Sequence, residues 1–291
     1  SGAALVRDAA RGDPRWKGFA EGTAARDIAL KKILTGIADL IYPPRCMTCD
    51  EPLEQHDALP FCPSCRAGIR ILRSPLCPRC GVPFPVAEGE DRLCGDCLRM
   101  DRPYAIARSV GSYEGTLLTA IHRFKYQGKT GIGKILGGIM ADFAETLWDM
   151  KVFERVVPVP LHRKKLRSRG FNQSVILARA LAKRFGIMLD FTSLRREIFT
   201  PPQVGLDRKE RCANVHGIFT VRHPERIAGR RILLVDDVYT TGSTLEECSR
   251  TLIRAKAEAV AVLTLARAVR DIDTPPEPGQ TLPERSAEAE G

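Results

Sequence analysis

No apolar run in this chain approaches the ~20 residues that a membrane-spanning helix needs. The longest candidate, Ile28 to Tyr42, is interrupted by Lys31, Lys32 and Asp39 and runs into Pro43-Pro44, which suits an amphipathic helix. Membrane insertion is therefore not expected. No secretory signal is visible in a sequence that opens on Ser1 rather than Met, and a cytoplasmic location is the expectation. Gly128-Lys129-Thr130 imitates the end of a nucleotide-binding P-loop, but the glycine required five positions earlier is Arg123, and no apolar strand leads in. His122, His162, His216 and His223 show neither a metal-ligand nor a triad spacing and read as surface or packing residues.

Cysteine is present in quantity and in order. Eight of the ten cysteines form four C-x-x-C pairs, Cys46/Cys49, Cys62/Cys65, Cys77/Cys80 and Cys94/Cys97, separated by twelve, eleven and thirteen residues. Two intervening residues let both sulfurs of a pair reach one tetrahedral ion, and two pairs complete a four-thiolate site. Two structural zinc sites are expected, from the first two pairs and the last two, although the spacing also allows a crossed arrangement. Disulfides do not suit a cytoplasmic chain. A thioredoxin-like pair would occur once beside a βαβ unit, and the tight cysteine run of bacterial iron–sulfur proteins is absent. With few large apolar residues of its own, the segment should fold only with metal bound. Cys212 and Cys248 stand alone and read as ordinary buried residues.

The formal charge is +10. The tail from Asp271 to Gly291 carries six acids and one base, so the remainder carries +15. Such a surplus suits nucleic acid, a polyanionic substrate or simple solubility.

The most specific stretch is Ile232-Leu233-Leu234-Val235-Asp236-Asp237-Val238-Tyr239-Thr240-Thr241-Gly242-Ser243-Thr244. Ile232 to Val235 reads as a buried parallel strand, followed by two carboxylates where it should emerge. A turn of small hydroxyl residues then leads into a helix from about Leu245. Ligands of open α/β sheets bind beyond the carboxyl ends of strands. Backbone N–H groups and the dipole at a helix start attract phosphate. An acidic pair can accept hydrogen bonds from ribose hydroxyls or help hold magnesium, which prefers oxygen ligands.

Upstream, Ile106 to Tyr113 reads as a strand, and Leu117, Leu118, Ile121 and Phe124 mark a helical face ending in Lys125-Tyr126-Gln127-Gly128. A second amphipathic helix carries Ile132, Ile135, Leu136, Ile139, Phe143 and Leu147. Val156 to Pro160 reads as a strand running into a basic loop in which five of the seven residues from Arg163 to Arg169 are cationic. A further helix begins near Asn172, Gln173 and Ser174.

The thirteen-residue stretch resembles the phosphoribosyl-pyrophosphate (PRPP) signature of type I phosphoribosyltransferases. That resemblance implies that Asp236 and Asp237 hold the ribose hydroxyls and carry catalysis. It makes Thr240, Thr241, Gly242, Ser243 and Thr244 the cradle of the 5-phosphate. The wider order of Pro-Pro-Arg-Cys, paired knuckles, Lys-Tyr-Gln-Gly, Pro-Val-Pro-Leu, Arg-Gly-Phe-Asn-Gln and the PRPP signature resembles the ComF competence family over Ile28 to Arg267. The resemblance implies an α/β, type I phosphoribosyltransferase fold: a mainly parallel central sheet flanked by helices, preceded by a small double zinc-ribbon module. The expected divisions are a disordered extension (1–27), an amphipathic lead helix (28–44), the double zinc ribbon (45–100), the phosphoribosyltransferase-like domain (101–268) and a disordered acidic tail (269–291).

In such a fold pyrophosphate sits on the turn after the first core strand, by position Pro160, Leu161, His162, Arg163 and Lys164. Lys125, Arg167 and Arg169 are further candidates for neutralising phosphate charge. A mobile loop is expected over Arg195 to Leu206. No aromatic follows the last core strand, Val260 to Leu265, to stack on an acceptor base, so a hood either comes from elsewhere, such as the cysteine module or the Tyr104 to Gly128 region, or is missing. The implied activity is transfer of the phosphoribosyl group from PRPP, with magnesium, to a nitrogenous acceptor, linked to DNA uptake or DNA processing. Two other functions fit the same residues: a PRPP sensor without turnover, and an adaptor whose ribbons and basic run contact single-stranded DNA or a helicase-like protein.

Overall fold

A computed structural model describes residues 45–53, 61–86, 88–126, 130–198 and 217–269. The expected extension and lead helix, Gln127 to Lys129, the Thr200-Pro201-Pro202-Gln203 segment, Cys212, His216 and the tail after Val269 lie outside them. The cysteine module contributes two short helices, α1 (Pro63–Ala67) and α2 (Gly95–Arg99). Then follow β1 (Ile106–Ser112), α3 (Gly115–Tyr126), α4 (Thr130–Leu147), β2 (Arg155–Pro158), α5 (Arg163–Arg169), α6 (Gln173–Phe185) and β3 (Met188–Leu189). The remainder comprises β4 (Leu194–Arg196), β5 (Phe219–Val221), β6 (Arg231–Tyr239), α7 (Ser243–Arg254) and β7 (Ala259–Arg267).

Five strands form one parallel sheet in the order β1-β7-β6-β2-β3, while β4 and β5 pair antiparallel beside it. A parallel sheet covered on both faces needs apolar side chains on every residue of its inner strands, and β6 supplies them. Leu233 and Val235 pack with α3, α4 and α6 on one face. Ile232 and Leu234 pack with α7, Leu194, Phe219 and the second cysteine cluster on the other. On the first face the helices approach closely because α4 carries glycines. A Cβ at Gly133 would lie 2.4 Å from the Phe124 ring, and one at Gly137 would lie 2.5 Å from Ala180 Cβ.

The connection leaving β2 runs through α5 and α6 to β3, and that leaving β6 runs through α7 to β7, on the opposite side. The chain leaves these two adjacent strands toward opposite faces, which puts a crevice beyond their carboxyl ends, the place where such sheets take ligands. At the far edge, β1 is covered by the cysteine module. Leu72 donates to the Val110 carbonyl at 3.1 Å, Ser112 to Arg70 at 2.8 Å and Ala107 to Arg79 at 2.8 Å. Gly81 makes this docking possible, since its φ is +72° and a Cβ there would lie 2.5 Å from the Ala107 carbonyl oxygen. An open strand edge is thereby satisfied within the chain.

Three expectations need correction. The strand expected to end at Val235 continues to Tyr239, because β7 keeps pairing with it through Tyr239↔Arg267. The acidic pair thus lies within the strand. The following helix starts at Ser243, two residues before the expected Leu245. The basic run expected as a loop is helical: the His162 ring nitrogen accepts the Lys164 N–H at its start, and Gly170 closes it at φ +79°.

Replacing Gly137 by Leu should destabilise the fold by about 1–3 kcal/mol through overpacking. Gly131→Ala, where nothing lies within 4 Å, should instead be tolerated or stabilise by up to about 1 kcal/mol, since alanine loses less backbone entropy in a helix. Urea midpoints of the two variants against the parent would check this.

Candidate functional site

Asp236 and Asp237 stand at the crevice from adjacent positions on β6. The Ser174 hydroxyl, from the first turn of α6, donates to Asp236 Oδ1 at 2.7 Å, and the Asp237 N–H donates to the same oxygen at 2.9 Å. Lys125, at the end of α3, places Nζ 3.0 Å from Asp237 Oδ1. Burial, and then the charge of Asp237, push the Asp236 carboxyl up to about 7, with the two hydrogen bonds and Lys125 opposing. Burial acts most strongly against the Lys125 ammonium, but the Asp237 carboxylate, joined by Tyr113 and Asp236, holds Lys125 above the ordinary lysine value.

Beyond β6 the chain turns through Thr240 and Thr241 to Gly242, which precedes α7 with φ +84°. This is left-handed backbone that glycine adopts without strain. Space demands glycine as well, since a Cβ would lie 2.3 Å from the Tyr239 hydroxyl. The first N–H groups of α7 open beside this turn, with Thr244 half-buried, Ser243 buried and its hydroxyl 3.0 Å from that of Thr241.

Across the crevice, β2 runs into buried Pro160, half-buried Leu161 and the capping His162. On α5 the helical repeat divides the basic residues. Arg163, Lys164 and Arg167 are exposed, while Lys165 and Arg169, four apart, are half-buried on the inner side. Burial and the charges of Arg169, Arg196 and Lys125 press the Lys165 ammonium below the ordinary lysine value. Arg196, on β4, lies near enough to Asp236 for its charge to be felt. Such a gathering of cations favours an anion between them. Lys165, Arg196 and Ser174 were not singled out from sequence. The i, i+4 spacing of a helical 163–169 segment would have separated Lys165 and Arg169 from their neighbours, whereas the approach of β4 carried no local signal.

The Arg-Gly-Phe-Asn-Gln motif acts as a clasp. Asn172 caps α6 by accepting the Ser174 N–H at 3.0 Å, and donates to the Val159 carbonyl at 3.0 Å, fixing the turn after β2. Arg169 donates to Gln173 Oε1 at 3.2 Å, and the Phe171 ring packs 5.7 Å from that of Phe124.

The cysteines gather as two consecutive clusters, Cys46/Cys49/Cys62/Cys65 and Cys77/Cys80/Cys94/Cys97, with all sulfurs in each within 4.8 Å of one another. Sγ–Sγ separations of 3.6 Å (Cys49–Cys62) and 3.7 Å (Cys80–Cys94) match the ~3.8 Å edge of a tetrahedron with Zn–S near 2.3 Å. The donor sets fit zinc, and the crossed pairing left open by spacing does not occur. Cys248 is fully buried on α7, as expected.

Residues 37–98 match the double zinc ribbon domain family and residues 172–278 the phosphoribosyl transferase domain family. Together with the parallel sheet and its crevice, these matches define the class: a zinc-ribbon protein built on the phosphoribosyltransferase fold. The DNA utilization protein YhgH of Salmonella typhimurium is 32% identical over 232 residues, which span 78% of this chain and 99% of that protein. Competence protein F of Haemophilus influenzae is 31% identical, with 71% and 96% covered. Competence protein ComFC of Bacillus subtilis is 31% identical, with 71% and 83% covered. The chain belongs to the ComF family.

The raised Asp236 value gives a pH prediction. Its favourable contribution to stability is complete below the unfolded carboxylate range near pH 4 and is lost as pH rises through about 7. Asp236→Asn should therefore raise the melting temperature by an amount that grows between pH 5 and pH 8. Thermal melts showing a pH-independent difference would contradict it.

Proposed function

We propose that this protein binds PRPP in the crevice between β2 and β6 and transfers the phosphoribosyl group to a nitrogenous acceptor. The observation that carries the reading is the convergence, at a strand switch point, of an adjacent carboxylate pair, a glycine turn opening a helix, and an inward-facing cationic cluster. The Gly242 turn and the first N–H groups of α7 suit a monoesterified phosphate. Asp236 and Asp237 suit ribose hydroxyls, which would supply the hydrogen-bond donors that an isolated carboxylate pair wants. Lys165, Arg169 and the β2 turn face the region where pyrophosphate would lie.

Magnesium, when bound with PRPP, would offset negative charge on the leaving pyrophosphate. The chain's own part is to fix the ribose and to keep cations where charge develops as the C1–O bond lengthens. Tyr104 does not serve as a hood, since it is buried beneath Tyr239 with the two hydroxyls 2.8 Å apart. The ring series Tyr113, His122 and Tyr126, with centroids 6.3 and 5.8 Å apart, stands beside Lys125 and is the surface offered to an acceptor base.

The names of the relatives, competence protein and DNA utilization protein, point the biological setting toward DNA uptake or processing. The outer face of α5 supports that setting. Arg163, Lys164 and Arg167 are exposed there, in a position to contact the backbone of single-stranded DNA. No helix among the described residues is long and apolar enough to cross a membrane.

Calorimetric titration of magnesium and PRPP should show binding near the micromolar range (about −8 kcal/mol) that is lost in Asp236→Asn/Asp237→Asn. Absence of binding to the parent protein would reject the reading. Lys165→Ala should weaken binding about tenfold or more. Charge reversal at Arg163 and Lys164 should reduce salt-dependent affinity for single-stranded DNA.

A further inference from the structure

The second cysteine cluster lies against the underside of the Gly242 turn, and the groups between them form a continuous chain. Arg267, at the end of β7, is 7% exposed. Its guanidinium donates to the Cys80 carbonyl at 2.9 Å and lies 3.9 Å from Cys80 Sγ. On its other side it stacks 4.0 Å from the centroid of the Tyr239 ring. Tyr239 is the floor on which Gly242 rests, and its hydroxyl is held by Tyr104. A parallel tie runs through Arg102, which is 4% exposed, pairs with Glu246 in the first turn of α7 and approaches Asp96 of α2 at 3.8 Å.

Arg102 has carboxylate partners. Arg267 has none within ion-pairing distance among the described residues; its closest polar neighbours are Cys80 and the two tyrosines. A buried guanidinium without a counter-charge is costly. Four thiolates around one divalent zinc carry a net charge of about −2, and this centre adjoins the guanidinium. The first cluster is different. It docks on α3 through Asp50, which pairs bidentately with Arg123 at 2.7 and 2.8 Å and so brings its own carboxylate.

We propose that the second four-thiolate centre is the counter-charge of Arg267, and that Arg267 and Tyr239 are positioning residues that use this charge to hold the Gly242 turn in its ligand-receiving shape. Metal at Cys77, Cys80, Cys94 and Cys97 and anion at the turn are then linked in both directions, as any two coupled sites must be. The ligand side of this linkage rests on the PRPP reading above, whereas the shape of the turn does not.

The test uses the full zinc-loaded chain and two readouts. The first is hydrogen exchange of the 240–244 amides without ligand. Arg267→Met should retain two zinc ions yet exchange at least fivefold faster there, with β2 unchanged, while Arg267→Lys, which keeps the charge, recovers part of the protection. Unchanged exchange in Arg267→Met, or equal effects of Met and Lys, would overturn the proposal whatever the ligand is. Should Arg267→Met fail to fold, Tyr239→Phe, which removes the hydroxyl that Tyr104, Gly242 and Arg267 share but keeps the ring, should show the same local acceleration, and its absence would overturn the proposal. The second readout is zinc release to a chromophoric chelator with and without magnesium-PRPP. One of the two ions should leave about fivefold or more slowly when PRPP is bound, and Arg267→Met should abolish the difference. PRPP that binds without altering either release rate overturns the linkage alone, whereas PRPP that does not bind at all overturns the functional reading and leaves the exchange result to decide the rest.

Discussion

Two adjacent carboxylates within a central strand repel one another in surroundings that hydrate neither fully, and much of the molecule is arranged around that repulsion. Asp236 receives two hydrogen bonds on one oxygen, and Asp237 receives the ammonium of Lys125. Each helper comes from a different element. Ser174 depends on the Asn172 cap, which in turn depends on the turn after β2. Lys125 depends on α3, which the first cysteine cluster braces through Asp50 and Arg123. The pair is thus held by groups that also fix the mouth of the crevice, so that a ligand supplying hydroxyl donors would relieve a cost already present in the free protein.

Cations are distributed with similar economy. Lys165 and Arg169 face inward, and the Arg169 charge lowers the tolerance of Lys165 for its own, a condition that an incoming polyanion reverses. Their neighbours on α5 face water. One seven-residue helix, with its register set by the His162 cap and the Gly170 stop, presents two basic surfaces with different exposures.

The strand–acid–turn–helix order of residues 232–254 was legible because it is local: each step has its own residue signature over a few positions. The cysteine spacing was legible for the same reason, and its consecutive pairing needed only the coordinates. Less visible were features fixed by distant contacts. The extra length of β6 reflects pairing with β7, and the helical state of 163–169 reflects a histidine cap that basic composition concealed. Arg267 fell beyond the strand expected to end at Leu265, whereas β7 runs on to include it; only burial against Cys80 and Tyr239, far away in sequence, gives it a role. Lys165 and Arg196 were missed because inward direction follows from register and from the approach of β4, not from residue type.

The pairing of β1 with β7 has a consequence for how the chain is made. Ile106 lies opposite Ala261, so β1, the first strand of the parallel sheet to be synthesised, finds its sheet partner only after the rest of that sheet has been made. Contacts of such sequence separation close late. The ribbon module precedes β1 directly and lines its other edge through backbone hydrogen bonds. Those bonds deny that edge to neighbouring chains whether or not β7 has yet paired on the other side.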